Sequence, residues 1–222
     1  MKGYEEACAT HLPRRMPVIM RLDGKAFHSL TQDCARPFDR LFSDVMGTTA
    51  LELCKEVQGT VLAYYQSDEI SLLIHNYKTL TTQPWFDNNV QKMVSVSAAA
   101  ASVEFTKLWG PPALFDSRIF VLPEAEVCNY FIWRQQDAVR NSIIMLTRSM
   151  YSHKECDAKN GNEMQEMCFQ KGQNWNNVLT RWKRGACVYK NAEGTWIEDQ
   201  EIPTFTQDRN FIERHLAVEN DD

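Results

Sequence analysis

Short apolar runs, spaced along the chain, predict the strands of a buried sheet. Residues 17–22 (PVIMRL) are almost continuously apolar, as expected for a strand covered on both faces. Residues 60–65 (TVLAYY) and 69–75 (EISLLIH) are β-branched, aromatic or aliphatic, and the turn chemistry of 66–68 between them predicts a hairpin. Two further strands are predicted at 118–122 and 185–190.

Longer stretches with helical spacing separate these runs. Apolar positions after Pro37 repeat at three- and four-residue intervals and predict a helix that ends before Gly59. Residues 85–108, rich in Ala, Ser and Val, predict a helix lying close against a sheet, and residues 124–151 predict one or two helices. The polar, amide-rich residues 152–177 are predicted to be a loop. Strands separated by helices, with one tight hairpin, indicate an α+β or α/β sheet domain.

Composition is that of an ordinary globular chain. The chain has 222 residues, of which 44% are hydrophobic, enough for a full core. We expect one domain over residues 1–192, carrying basic helices and loops at 124–192, and an acidic C-terminal segment at 193–222. The seven cysteines form no C-x-x-C pair, which favours reduced thiols and a cytoplasmic location over a disulfide framework or a zinc site. No apolar run approaches the roughly 18 residues of a membrane helix, so no membrane partner is expected.

Charge is unevenly distributed. The net charge of −5 comes from residues 193–222, which hold nine acids and two arginines; the rest of the chain has 22 basic and 20 acidic residues. Residues 167–192 contain five bases and no acid, and residues 127–154 contain four bases and one acid. Such segments can contact phosphates despite a negative total. Ordinary solvated surface is the alternative.

Three carboxylates stand at predicted strand ends. Asp23 follows the first strand, and Asp68 and Glu69 lie at the hairpin turn. If the first strand lies beside the hairpin, the three converge at one end of the sheet, where a divalent cation is their natural partner. Taken singly, Asp23-Gly24 is better explained as a turn, and Asp68-Glu69 is equally a hairpin tip or a salt bridge. Together they resemble the palm domain of template-dependent polymerases and nucleotide cyclases.

Further motifs resemble the tRNA-His guanylyltransferase family in sequence order over roughly residues 15–190. They are RLDGKAFHSL (21–30), ARPFDR (35–40), YYQSDEISLLI (64–74), FDSR (115–118), IWRQQDAVRNSI (132–143), NWNN (174–177) and KRG (183–185). The family adds nucleotides to the 5′ end of tRNA in the 3′-to-5′ direction. The resemblance implies a palm-type α+β fold with a mainly antiparallel sheet flanked by helices.

One departure from the family pattern is informative. The eukaryotic members carry H-I-N-N-L-Y-N after the W-R-Q-x-D block, whereas this chain has VRNSIIM at 139–145 and retains Asn141. That run, and residues 152–167 after it, are similar to the bacterial-type guanylyltransferase-like proteins. That similarity implies template-dependent repair of 5′-truncated tRNA, with addition of the G at position −1 of tRNA-His as the alternative.

The resemblance also implies site residues. Asp23, Asp68 and the carbonyl of Gly24 are expected to bind two Mg²⁺ ions, with Glu69 supporting that site as a further catalytic residue. The alternative for Glu69 is an outward-facing side chain, because adjacent strand residues point to opposite faces. The residues expected to contact ATP, GTP or another nucleoside triphosphate are Lys25, Ala26, Phe27, His28, Arg36, Ser67 and Lys92. Those expected to contact tRNA are Arg118, Arg134, Asn141, Lys183 and Arg184. Trp133, Trp175 and Trp182 are expected to stack on bases or to pack in the core.

The predicted reaction is a two-metal nucleotidyl transfer. ATP or GTP activates the tRNA 5′ end, and the 3′-hydroxyl of an incoming nucleotide attacks the activated phosphate and releases AMP or pyrophosphate. A homotetramer is implied by the resemblance. A palm enzyme with a small nucleotide product needs no basic RNA surface, so the two basic segments argue against it. An RNA-binding protein without catalysis does not need Asp23 and Asp68, so their presence argues against that class.

Overall fold

The computed structural model describes residues 1–79 and 81–217, and within them the strands form one six-stranded antiparallel sheet. The strands are β1 (Val18–Gly24), β2 (Thr60–Gln66), β3 (Glu69–Ile74), β4 (Phe115–Val121), β5 (Ala186–Lys190) and β6 (Trp196–Asp199). Their order across the sheet is β4-β1-β3-β2-β5-β6. The predicted α+β fold with a mainly antiparallel sheet is confirmed.

Helices cover both faces of this sheet. They are α1 (Lys2–Glu6), α2 (Phe27–Leu30), α3 (Arg40–Glu56), α4 (Val90–Trp109), α5 (Glu124–Arg148), α6 (His153–Cys156), α7 (Gly161–Gln170), α8 (Thr180–Arg184) and α9 (Asn210–Glu213), with 3-10 turns at Trp85–Asn88 and Trp175–Asn177. α3 and α4 pack on one face, and α5 with the residues after β6 packs on the other.

The alternation of β1 places one set of side chains in each layer. Val18, Met20 and Leu22 are fully buried against α3 and α4. Ile19 is fully buried on the opposite face, beneath α5. Asp23 follows Ile19 by four residues, so the alternation places it on the same face. It therefore lies on the α5 side, at the end of the strand.

Several predicted boundaries are corrected by local capping. The helix predicted from Pro37 begins at Arg40, because the Asp39 side chain accepts from Phe42 N at 2.8 Å as its N-cap. The strand predicted from residue 118 begins at Phe115. The predicted loop 152–177 contains α6 and α7, and each begins with a capping box, Ser152–Glu155 and Asn160–Glu163.

The sheet continues across the boundary drawn at residue 192. β6 pairs with β5 along Trp196–Asp199, and beyond it Ile202, Phe205 and Ile212 are almost fully buried on the α5 face. Residues 196–216 are therefore part of the same packed unit as the rest of the sheet. Of the nine acids in the C-terminal segment, Glu219, Asp221 and Asp222 lie outside the described residues.

All seven cysteines are free thiols. Across residues 1–79 and 81–217, no helix has both the length and the apolar character required to cross a membrane.

Candidate active site

Charged residues gather at one end of the sheet, on the face covered by α5. Asp23 pairs across β1 and β3 with Glu69, and across β1 and β4 with Asp116. The guanidinium of Arg118, also on β4, lies 3.9 Å from the Asp23 carboxylate and 3.4 Å from that of Asp116. The expected convergence of the first strand with the hairpin is therefore observed, and Arg118 lies beside Asp23.

Asp68 lies in the two-residue turn that joins β2 to β3. Ser67, the first residue of the turn, has a φ of 49°, a left-handed conformation that is unfavourable for a residue with a Cβ. The carbonyl of Asp68 accepts from Gly24 N at 3.0 Å, which ties the turn to the end of β1. Burial and the neighbouring Asp23 carboxylate raise the pKa of Asp68, while hydrogen bonds from its own backbone and from the Ser67 hydroxyl oppose that rise.

The chain after β1 folds back over its own glycine. A Cβ on Gly24 would lie 2.5 Å from the ring of Phe27, so only glycine allows this ring to cover the backbone. Phe27 is buried among Phe42, Phe105 and Phe115, at centroid distances of 5.0–6.2 Å. Phe27 therefore anchors the segment that follows.

Lys25 and Ala26 lie in that segment and are exposed. Lys25 N donates to Leu114 O at 2.8 Å, which holds the start of the segment against the loop before β4. Ala26 has a φ of 57°, and this left-handed residue turns the chain into α2. His28, in α2, is also exposed and follows directly on the Phe27 anchor.

A cleft of about 270 Å³ opens between the segment after β1, the hairpin turn and α5. We call it the carboxylate cleft. It is lined by Phe27, His28, Thr31, Cys34, Ala35, Arg36, Pro37, Asp39, Phe42, Ser67, Asp68 and Met145. Five of the predicted site residues thus share one concave surface: Phe27, His28, Arg36, Ser67 and Asp68. Thr31, Asp39 and Met145 also line the cleft without matching a predicted role, although Asp39 was detectable as a helix cap before an apolar periodic run.

Glu69 and Arg134 form a buried ion pair. Arg134 Nε and Nη2 donate to the two carboxylate oxygens of Glu69, each at 2.7 Å, and the two side chains are 9% or less exposed. Burial raises the pKa of the Glu69 carboxyl, and the guanidinium opposes that rise. The alternative of an outward-facing Glu69 does not fit this buried pair. The guanidinium of Arg134, expected to contact tRNA, is turned inward to carboxylates.

The rest of the W-R-Q-x-D block extends this network. The Gln135 amide donates to Pro203 O at 2.9 Å and accepts from Phe205 N at 2.8 Å, which fastens α5 to the C-terminal segment. Asp137 accepts from Arg134 at 3.0 Å, from Arg140 and from Asn141 at 3.4 Å. Most of the block therefore joins elements of the fold, while Asn141 also lines a narrow extension of the cleft beside Trp182.

Other predicted residues lie elsewhere. Lys92 is exposed near the start of α4, ten residues, or about 15 Å, along the helix from Ser102, whose hydroxyl accepts from Phe115 N at the carboxylate end of the sheet. Lys92 is therefore not brought to the cleft. Lys183 donates to Asn176 O at 2.7 Å, and Arg184 donates to Thr204 at 2.6 Å.

The three tryptophans have different surroundings. Trp133 is 52% exposed, with the Arg134 guanidinium 4.5 Å from its ring centroid. Trp175 donates to Ser142 at 3.0 Å. Trp182 stacks on Phe38 at 5.3 Å and lies between the core and the cleft. Of the three, Trp133 is the one with most of its ring surface available to a ligand.

The donor set fits a hydrated divalent cation rather than a closed protein cage. Within residues 1–79 and 81–217, no group of three or more His, Cys, Asp or Glu side chains is arranged to hold a metal ion. Mg²⁺ commonly takes only one or two carboxylates and completes its shell with water and substrate phosphates. Asp23 and Asp68, beside a cleft with Arg36, match that pattern.

Fold and site together are those of a palm-type nucleotidyltransferase. A family model described as tRNAHis guanylyltransferase matches residues 1–123, more than half of the chain. The chain therefore belongs to the tRNAHis guanylyltransferase family, as the motifs predicted. Among curated relatives, the probable tRNA(His) guanylyltransferase of Dictyostelium discoideum is 26% identical over 196 residues, covering 78% of this chain and 75% of its own length.

Solved structures give a nearer match. A bacterial tRNA(His) guanylyltransferase-like protein in complex with ATP is 44% identical, with a TM-score of 0.94 over 99% of this chain and 98% of its own. A second structure, the bacterial guanylyltransferase-like protein in complex with GTP, is 43% identical, with a TM-score of 0.89 over 98% and 97%. The Saccharomyces cerevisiae tRNA(His) guanylyltransferase, 23% identical with a TM-score of 0.75 over 94% and 100%, shares the fold.

Proposed function

We propose that this chain adds nucleotides to the 5′ end of tRNA, and that its preferred substrate is a tRNA lacking 5′ nucleotides, repaired against the opposite strand as template. The observation that carries the proposal is the carboxylate cleft, where Asp68 lies on the same surface as Arg36 and His28. Family membership supports the reaction class, and the ATP- and GTP-bound relatives support nucleoside triphosphates as substrates.

Asp23, Asp68 and the Gly24 carbonyl are the groups we propose as ligands for two Mg²⁺ ions. Such ions neutralise charge on the phosphates and lower the pKa of an attacking hydroxyl. Glu69 is already paired with Arg134, and Arg118 contacts both Asp23 and Asp116. Asp23, Asp68 and Asp116 together therefore outnumber the positive charge paired with them at this end of the sheet.

The chain's own groups position the substrate. Arg36 and His28 face the cleft and are exposed, so their positive or hydrogen-bonding groups can meet phosphate oxygens. The segment after Gly24 exposes backbone and the Lys25 side chain beside the cleft, while the buried Phe27 ring fixes its path. Holding the reacting groups in one geometry accounts for much of the rate in phosphoryl transfer.

The choice of repair over addition to tRNA-His rests on the segment 139–145. This segment lies on α5, and Asn141, Ile144 and Met145 line the cleft or the surface next to it. The family's histidine-containing run is replaced there by VRNSIIM, as in the bacterial-type proteins. Addition of the G at position −1 remains the second candidate, favoured by the names of the curated relatives.

The decisive experiment supplies labelled nucleotides and magnesium with two RNAs, a full-length tRNA-His and a tRNA truncated at its 5′ end. We expect extension of the truncated RNA with template-matched nucleotides, and a switch to the newly matched nucleotide when the opposing base is changed. Asp68→Asn should abolish extension, with Asp33→Asn, an exposed carboxylate outside the cleft, as the control. Extension of full-length tRNA-His alone would replace repair by the second candidate, and no extension of either RNA would remove the proposed function.

A homotetramer and a cytoplasmic location belong to the same proposal. Size-exclusion chromatography with light scattering tests the tetramer, and fractionation of the source cells tests the location.

A further inference from the structure

A second groove, of about 530 Å³, continues from the carboxylate cleft toward the end of α5. We call it the basic groove. It shares His28, Arg36 and Met145 with the carboxylate cleft and extends beyond them to Ile144, Arg148 and His153. The two cavities therefore form one continuous surface whose common wall carries Arg36 and His28.

The composition of the basic groove differs from that of its neighbour. Asp39 and Asp68 line the carboxylate cleft, whereas no acidic residue lines the basic groove, half of whose lining residues are Arg or His. The nearest acid along α6, Glu155, is held by Ser152, whose backbone and hydroxyl donate to it at 2.9 and 2.7 Å. The surface thus runs from acidic to basic over the length of the two cavities.

The basic side chains of this groove are also uncommitted. Within the described residues, the side chains of Arg148, His28 and His153 make no hydrogen bond or ion pair, and the Arg36 guanidinium donates only to Thr31 O at 3.2 Å. Arg140, on the same helix as Arg148, is instead paired with Asp137. An isolated unpaired arginine is ordinary surface, but two arginines and two histidines around one concavity form an electrostatic site for an anion.

We propose that the basic groove is a polyphosphate subsite in which Arg148 and His153 hold the outer phosphates of a substrate whose reacting phosphate lies in the carboxylate cleft. This inference rests on the proposed function. It gives a role to Arg148 and His153, two residues that lie outside the family motifs. A guanidinium binds phosphate oxygens bidentately, and the groove's gradient orients a polyphosphate with its outer charges away from Asp68. The polyphosphate belongs either to a nucleoside triphosphate or to a triphosphorylated RNA 5′ end.

Binding measured without turnover tests the subsite. Isothermal titration of the wild type, Arg148→Gln, His153→Gln and the double variant uses two ligand series. One series is ATP, ADP and AMP, and the other is a short RNA with a 5′-triphosphate or a 5′-monophosphate. We expect Arg148→Gln to weaken binding of the triphosphorylated ligand by about tenfold and to leave the monophosphorylated ligand unchanged. Inorganic tripolyphosphate should compete in the wild type and lose affinity in the variant.

The controls separate a subsite from a general charge effect. Lys154→Gln removes one positive charge next to His153 from a residue that does not line the groove, and its binding should match the wild type. Arg148→Lys should retain part of the triphosphate preference. Arg148 and His153 are both exposed, so the melting temperatures of their variants should match that of the wild type.

Each outcome has a distinct meaning. A loss confined to the ATP series assigns the groove to the nucleotide, and a loss confined to the RNA series assigns it to the RNA 5′ end. If Arg148→Gln binds both triphosphorylated ligands as the wild type does, or loses no more than Lys154→Gln, the subsite is overturned while the proposed function stands. If the wild type binds no nucleotide and extends no RNA, the proposed function itself fails.

Discussion

Asp68 and Glu69 are neighbours in the chain, yet their carboxylates have opposite surroundings. Asp68 lies in the hairpin turn on the surface of the carboxylate cleft. Its carboxylate is stabilised by hydrogen bonds from the Ser67 hydroxyl and from its own backbone, and no basic side chain among residues 1–79 and 81–217 offsets its charge. Glu69 begins β3, lies opposite Asp23, and has both oxygens occupied by Arg134. Two consecutive residues thus carry a carboxylate that is available to a ligand and a carboxylate that is already paired with an arginine.

The difference teaches how to recognise a functional carboxylate. Burial raises the pKa of both groups, so a shifted pKa does not distinguish them. The distinguishing feature is the partner. Glu69 is compensated within the protein, whereas Asp68 has no basic partner in the described part of the chain and Asp23 shares Arg118 with Asp116. This end of the sheet therefore keeps an excess of negative charge that a bound cation would offset. The following predictions test whether this division of roles is correct.

The largest effect is expected on activity from Asp68→Asn. Removing the charge removes a proposed metal ligand, and nucleotide addition should fall by at least about 10³-fold. Single-turnover extension of a 5′-truncated tRNA measures it. Activity within tenfold of the wild type would show that Asp68 is not the ligand.

The same variant should be more stable than the wild type at neutral pH. Because the folded-state pKa of Asp68 is raised, folding penalises its ionised form. The penalty is absent below the unfolded pKa, where both states are protonated, and complete above the folded pKa. The gain of Asp68→Asn should therefore disappear as the pH falls below the ordinary aspartate range, which urea unfolding at several pH values measures. An equal gain at all pH values would contradict this origin.

Glu69→Gln should have the opposite effect to Asp68→Asn, with a loss of stability as its main consequence. It leaves the buried guanidinium of Arg134 without its bidentate partner, at a cost of about 3 kcal/mol in the free energy of unfolding. This is the lower end for a broken buried pair, because Asp137 still contacts Arg134 at 3.0 Å. Glu104→Gln, which removes the partner of Lys107 at the surface, is the matched control and should cost less than about 1 kcal/mol. Equal losses for the two variants would refute the assigned role of the buried pair.

Replacing both partners separates pairing from catalysis. In Glu69→Gln/Arg134→Met, the ion pair between β3 and α5 is removed from both sides. The free energy of unfolding of the double variant should therefore be about 1–3 kcal/mol higher than the value expected if the two single losses were additive. A double-mutant cycle in urea measures the coupling. If the double variant recovers stability but remains inactive, Glu69 or Arg134 contributes to activity beyond the bond between them.

Part of this arrangement was accessible from sequence. The strand, Asp-Gly and hairpin patterns rest on local chemistry, so β1, β2 and β3 and the convergence of Asp23 with Asp68 followed from them. The burial of Arg134 did not, because its partner Glu69 is 65 positions away and an arginine in a basic segment has the pattern of a surface residue. Pairing of that kind is decided by the register of α5 on the sheet.

Two other misses have different causes. α6 has only four residues and α7 lies in a polar, amide-rich stretch, and the signal for them was the capping boxes at Ser152 and Asn160. The C-terminal segment was judged by its net charge, yet the apolar side chains of Ile202, Phe205 and Ile212, spaced between the acids, take it into the core. Net charge describes the exposed positions of a segment and leaves open what its apolar positions cover.

The smallest effect is expected from Ser67→Ala, which changes the surroundings of Asp68 without touching its carboxylate. The Ser67 hydroxyl lowers the pKa of Asp68, so its removal should raise that pKa further. Because the ionised carboxylate is the proposed ligand, the acidic limb of the pH–rate profile should move to higher pH, while the rate at high pH and saturating nucleotide stays near the wild-type value, saturation offsetting the loss of Ser67 as an expected nucleotide contact. Ser29→Ala, on the exposed surface of α2, should leave the profile unchanged. A shift to lower pH, or the same shift in both variants, would mean that the acidic limb reports a group other than Asp68.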